Sequence, residues 1–142
     1  MSSALELRVK KIIVMKKLII DAVNENIFLV IISDNNIYNV SHKNIKTNYE
    51  KLIILINDFL NSNGLKISDI STFYVNRGPG SFAGIRNSIS IVKAIHLINK
   101  IDYYCYSFQD FKDENNVKYE NIPNLCDKFK IKKNLIKPIY IS

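Results

Sequence analysis

Asn76 to Arg86 reads NRGPGSFAGIR, and this stretch groups the residue types best suited to chemistry. Gly78, Pro79 and Gly80 form a sharp turn, because glycine accepts positive φ and proline fixes its own. Ser81 stands where a helix N-cap is needed, and its hydroxyl can accept a bond from a first-turn amide. A strand that ends in such a turn and restarts as a helix aims several N–H groups and a positive dipole end at one spot. That arrangement suits an anion. The same glycines would also let the chain turn sharply and pack closely, so the spacing leaves both readings open.

The other reactive side chains offer less. Asp21 closes an apolar run and is followed by Ala22-Val23-Asn24-Glu25, with no glycine and no hydroxyl to build an amide cradle for phosphate. Tight nucleotide binding at Asp21 is therefore not expected. His42 and His96 each lack a histidine or cysteine three or four places away, so neither starts a helical metal site. His96 reads as a packed or rim histidine. Cys105 and Cys126 lie far apart without ligand-like neighbours and read as reduced, buried thiols. No metal or cofactor site is expected from these residues.

The elements that must position the glycine corner follow from pattern. The 142 residues are 47% hydrophobic, enough for one core, and carry a net charge of +7 spread in short lysine clusters. No apolar stretch is long enough to span a bilayer and the start lacks a signal cleavage site, so a cytoplasmic protein is expected. Residues 1–14 sit awkwardly before the core pattern and read as an extension or misassigned start. Leu18, Ile19 and Ile20 form a strand buried on both faces. Turns at residues 24–26 and 34–36 connect it to IFLVIIS and IYNVS in a three-stranded meander.

Thr47 and Glu50 have capping-box spacing and open a helix with Tyr49, Leu52, Ile53, Ile56, Phe59 and Leu60 on its inner face. Ile54 falls on the outer side. Ser71 to Val75 make a fourth strand, the corner opens a second helix ending near Asn99-Lys100, and Tyr103 to Ser107 make a fifth strand. The order β-β-β-α-β-α-β gives a five-stranded mixed sheet with covering helices. That is an α/β fold of ribonuclease-H-like topology, shared by actin and sugar-kinase ATPase domains, over residues 15–111. Residues 112–142 form a charged tail with a short helix beginning at Pro123 and a last extended segment from Pro138 to Ile141.

The second helix is apolar on two flanks. Ile85, Ile89 and Val92 lie on one, and Ala83, Gly84, Ile91, Ala94, Ile95 and Ile98 on the other, with Arg86, Ser90 and Lys93 as a polar stripe. One flank suits the sheet. The other meets either a partner's helix, which small residues at Ala83, Gly84, Ser88 and Ala94 would let approach, or the first helix of the same chain.

These residues carry a resemblance. GPGSFAGIR resembles the GPGSF-T-G-L-R signature of the TsaB (YeaZ-type) family, the accessory subunits of the bacterial machinery for threonylcarbamoyladenosine in transfer RNA. Leu18 to Ala22 resembles the family's opening strand, Asn48 to Leu52 its His-Ser-Glu-x-Leu, Ser107 to Asp110 its Ser-Ser-Leu-Glu, and Pro138 to Tyr140 its Pro-x-Tyr. The family has Thr at the place of Ala83, an apolar-Gly pair at Asn87-Ser88, and a second domain after strand five for which residues 112–142 are too few.

The resemblance implies a minimised, non-catalytic scaffold. It would pair with a TsaD-like catalytic subunit, meet a TsaE-like ATPase in the assembled complex and reach tRNA through that complex. When alone it could form a homodimer. The pairing residues it implies are Gly78, Pro79, Gly80, Ser81, Phe82, Ala83, Gly84, Arg86, Asn87, Glu50 and Ile54, with Gly84 as the site of closest approach. Two other classes compete: a small nucleotide-binding or hydrolytic protein using Asp21 and the corner, and a basic RNA-contacting module.

Overall fold

Leu18 and Ile20 point one way from the first strand and Ile19 the other, and all three are fully buried. The strand must therefore lie inside a sheet covered on both faces. The computed structural model describes residues 15–140 and places it so. The extension expected at residues 1–14, and Ile141 of the last extended segment, lie outside the described residues.

Strand β1 (Lys16–Asp21) pairs antiparallel with β2 (Asn26–Ser33), and β2 pairs antiparallel with β3 (Asn36–Lys43). On its other side β1 pairs parallel with β4 (Thr72–Asn76), which pairs parallel with β5 (Asp102–Tyr106). The order β3-β2-β1-β4-β5 is the ribonuclease-H-like arrangement. Edge strand β3 is longer than IYNVS and mostly solvated, with polar residues that discourage pairing with other chains.

Helices α2 (Leu52–Ser62) and α3 (Phe82–Asn99) cover one face. There Leu52, Ile56, Leu60, Ile85 and Val92 join Leu18, Ile20, Phe73 and Val75 in one apolar cluster. A second cluster fills the opposite face, where Ile19, Val30, Tyr74 and Tyr106 meet Phe111, Ile122, Leu125 and Cys126. Helix α4 (Ile122–Lys128), with Pro123 in its first turn, supplies the last three of these. The charge of the segment from 112 onward thus hides a short apolar face that completes the core.

The helix expected from a Thr47–Glu50 capping box differs. A single turn, α1 (Lys46–Tyr49), starts at N-cap Ile45 with no side-chain bond, and the chain leaves helical geometry at Lys51 before α2 begins. The cause is local. Asn44 is tied by its amide to the Glu25 carbonyl (2.8 Å), which fixes where the chain leaves β3. Asn48 Nδ2 then donates to the Lys43 carbonyl at 2.8 Å, so the turn closes on asparagine rather than threonine. The phase shift carries Leu55 inward, whereas Ile53, expected inside, is 38% exposed.

Candidate functional site

The corner is built from asparagine and glycine. Asn76, at the end of β4, is buried, and its Oδ1 accepts from the Gly78 amide at 3.0 Å. Gly78 takes φ +110, and a Cβ there would strike the Ile139 carbonyl oxygen. The Gly78–Pro79 peptide is cis. Ser81 caps α3 as expected, with its hydroxyl accepting from the Gly84 amide at 3.2 Å.

What the corner grips is its own chain. The Ser81 amide donates to the Val23 carbonyl at 2.8 Å, and Ile85 N–H donates to Ser81 O at 3.0 Å. Gly80 lies against Val23, and a Cβ on Gly84 would strike the Ala22 carbonyl oxygen. From the other side, Ile139 N–H donates to the Arg77 carbonyl at 2.7 Å, and Tyr140 bridges to Gly80. Several of the amides that could have held an anion are thereby committed within the protein. At Gly84 the close approach within the chain is made by the carbonyl of Ala22, the residue after β1.

Small residues on α3 divide accordingly. Gly84 and Ser88 are buried, with the Ser88 hydroxyl donating to the Gly84 carbonyl at 2.6 Å. Ile95, on the flank expected to meet another helix, is buried and forms part of the groove lining. Asn87 reaches across to α1, donating from Nδ2 to the Tyr49 carbonyl at 3.1 Å. Glu50 is exposed and sits 4.0 Å from Lys46. Pro79 and Ala83 are half-buried.

The outward-facing residues form two features. Phe82 is half exposed, with its ring 4.7 Å from Tyr140 and the Arg86 guanidinium 5.6 Å above it. Further along, a groove of 420 Å³ runs between α2 and α3, lined chiefly by Ile53, Ile67, Ile91, Ala94 and Ile98. Ile98 is 78% exposed, Leu97 61% and Ile54 53%. Helix α2 covers part of the second flank of α3 and leaves this strip open. The sequence pattern puts Ile54 on the outer side of its helix and Ile98 on one flank of α3, places Ile53 inside, and does not single out Leu97. The break at Lys51 between α1 and α2 goes with the outward turn of Ile53.

Asp21 ends β1 beside the corner and is 5% exposed. Tyr119, from the segment before α4, donates its hydroxyl to Asp21 Oδ2 at 2.7 Å. Burial pushes the Asp21 carboxyl above its ordinary range, against bonds from Tyr119, Asn76 and Val23 that pull it down. The Tyr106 hydroxyl is buried nearby without a partner among the described residues. A cleft of 560 Å³ opens beyond Val23, lined by Asn24, Glu25, Asn44 and Ser81. Glu25 gives it a negative charge that opposes phosphate.

Among the described residues no group of three histidine, cysteine or acidic side chains could hold a metal ion. His96 Nδ1 lies 3.1 Å from the Ile101 carbonyl, and its ring meets Tyr103 edge-on. His42 is half-buried on β3, opposite Ile27. Both cysteines are buried, and burial pushes each thiol up to about 12. No described helix is long and apolar enough to cross a membrane.

Residues 39–111, half of the chain, match the family of TsaD, tRNA N6-adenosine threonylcarbamoyltransferase. Among curated proteins no sequence is significantly similar. Among solved structures the chain is similar to YeaZ from Pseudomonas aeruginosa, with a TM-score of 0.60 at 19% identity, covering 66% of this chain and 44% of that one. A second structure, described as an uncharacterized protein from Pseudomonas aeruginosa with similarity to the peptidase YEAZ, gives the same score and identity over 66% and 43%. The chain thus spans less than half the length of the structures it resembles, and the likeness to them is one of fold.

Proposed function

This chain belongs to the TsaD family of tRNA N6-adenosine threonylcarbamoyltransferase, and from that membership we propose that it serves threonylcarbamoyladenosine formation as a non-catalytic scaffold paired with a TsaD-like subunit. The observation that carries the pairing is the open apolar groove between α2 and α3, lined by Ile53, Ile91, Ala94 and Ile98, with Ile54 exposed next to Ile53 in the α2 sequence. Apolar patches of this kind on a soluble domain mark surfaces that are covered in use. Arg86, held over Phe82 near the start of α3, would be the polar contact of the pairing. A second ribonuclease-H-like domain offers matching helices, and a TsaE-like ATPase and tRNA would be reached through the assembled complex.

The non-catalytic part rests on Asp21. In this fold the end of the first strand is where a carboxylate would face a nucleotide. Here the carboxylate is sealed beneath Tyr119, and the loop after it contains no glycine. The protein would then contribute shape rather than reacting groups, inside the cytoplasm.

Co-purification with the cognate TsaD-like subunit tests this reading. A complex should form at micromolar concentration, and Ile54→Asp with Ile98→Asp should abolish it while the thermal melt stays unchanged. Absence of a complex, or a complex indifferent to both changes, counts against pairing through this strip. Calorimetric ATP binding by the isolated chain that Asp21→Ala abolishes would favour the nucleotide-binding alternative.

A further inference from the structure

At the free edge of β5, the segment after α4 folds back and encloses a second cleft, of 240 Å³. It is tied there by the Asn134 amide, which donates to the Tyr103 carbonyl at 2.7 Å, and by the bridge between Lys133 and Tyr104. Lys130, Lys132 and Lys137 line its mouth, and all three are exposed. Among the described residues none of them is in an ion pair, whereas Lys133 sits 3.6 Å from Asp102.

Arg77 stands inside the cleft, held by its neighbours. Its Nη2 donates to Asp110 Oδ1 at 2.6 Å, Nε donates to Oδ2 at 3.4 Å, and Nη1 donates to the Lys137 carbonyl at 2.9 Å. A guanidinium has five N–H donors, so two remain for another acceptor. Arg77 and Asp110 neutralise each other, which leaves the three lysines as the cleft's net charge. Cys105 also lines the cleft and stays an uncharged thiol, because burial pushes it up to about 12.

We propose that this cleft binds phosphate groups of an RNA backbone. A fixed guanidinium with free donors flanked by unpaired ammonium groups is the chemistry that phosphate oxygens seek. The ammonium groups stand on the rim instead of converging on one buried point. A chain of phosphates can meet them together, and a single small anion cannot. The preference for phosphate follows from the cleft alone, whereas the choice of RNA rests on the tRNA pathway proposed above. The cleft is separate from the α2–α3 strip, so the two readings can fail independently.

The test is fluorescence anisotropy of the full chain with a labelled tRNA-sized hairpin RNA at several salt concentrations. Lys130→Glu, Lys132→Glu and Lys137→Glu combined should weaken binding at least tenfold. The slope of log affinity against log salt should fall by about two, at roughly 0.7 for each phosphate no longer neutralised. The control combines Lys43→Glu, Lys51→Glu and Lys66→Glu, three exposed lysines elsewhere, and should stay within about twofold of the parent. Equal losses in both triple variants, or no loss in the first, would overturn the site. The same lysines changed to Gln repeat the test without charge reversal, should the first variant fold poorly.

Inorganic phosphate distinguishes the sources. Displacement of RNA only at concentrations far above the RNA's own affinity supports a backbone site. Saturable binding of phosphate alone, with no RNA bound, overturns it in favour of a small anion. Complex formation with the TsaD-like subunit, measured on the same variants, shows whether any failure lies here or in the pairing strip.

Discussion

Tyr119 and Asp21 are 98 residues apart in sequence and 2.7 Å apart in space, joined by a hydrogen bond from the tyrosine hydroxyl to the carboxylate. The bond fastens the segment before α4 to the end of β1, across the second face of the sheet. Tyr119 also lies beside Phe28 of β2, with ring centroids 5.9 Å apart, so the same side chain is held by packing. Burial and the neighbouring carboxylate both push its hydroxyl well above the ordinary tyrosine range. It remains a donor throughout the working pH range.

Removing that hydroxyl should be costly. Tyr119→Phe leaves a buried carboxylate oxygen without its donor, a loss of about 1.5–3 kcal/mol for a bond to a charged group. Urea unfolding at pH 7 measures it, and a loss below about 0.5 kcal/mol would show that the bond carries little.

The pH dependence runs opposite to that of a salt-bridged aspartate. The folded state raises the Asp21 carboxyl above 3.8, so the folded chain holds its proton more tightly than the unfolded chain. Stability from this group is full below the unfolded value and is lost as pH rises through the folded one. Asp21→Asn keeps an acceptor for Tyr119 without the charge. It should therefore raise the urea midpoint more at pH 7 than at pH 4, and an equal or reversed effect would refute the assignment.

Gly84 and Ile98 lie on the same helix, and only the first should be sensitive to substitution. Gly84→Ala drives a Cβ into the Ala22 carbonyl and should cost about 1–3 kcal/mol by overpacking. Ile98→Ala on the open strip should change stability by no more than about 0.5 kcal/mol. Thermal melts of the two variants decide it, and a tolerant Gly84 would mean that the end of β1 can yield.

The second apolar cluster makes α4 part of the core. Ile122→Ala, at a fully buried position, should cost about 2–5 kcal/mol. A chain ended at Phe111 would expose Ile19, Val30, Tyr74 and Tyr106 together, and it should be recovered in aggregates rather than as a soluble species. A monomeric, cooperatively melting truncation would show that the sheet needs only one covered face.

Cys105 and Cys126 should be silent toward alkylating reagents in the native state. With both thiols pushed up to about 12, almost none is thiolate at pH 8, and both are buried. Mass spectrometry should find no labelled cysteine until denaturant is added. Rapid labelling of either one in the native chain would contradict the burial.

Much of this structure could be read in the residues. Leu18-Ile19-Ile20 announces a strand covered on both sides, and Ser81 after Gly-Pro-Gly announces where α3 begins, because those signals are local. The signals that misled were local as well. Thr47 and Glu50 have the spacing of a cap, yet the tether from Asn44 to Glu25 decides where the helix starts, and that contact depends on the hairpin above it. Gly84 invites close approach, but sequence does not say by whom. The answer, the carbonyl of Ala22, needs the sheet in place. Charge along residues 112–140 masks Ile122, Leu125 and Cys126, too short an apolar set to stand out as amphipathic.

The contact between Phe82 and Tyr140 makes the far end of the described chain a neighbour of the first turn of α3. A fluorophore attached at position 140 would thus act as a sentinel for that turn. Any molecule that settles over Phe82 and Arg86 should alter its emission, without a label on the docking strip itself.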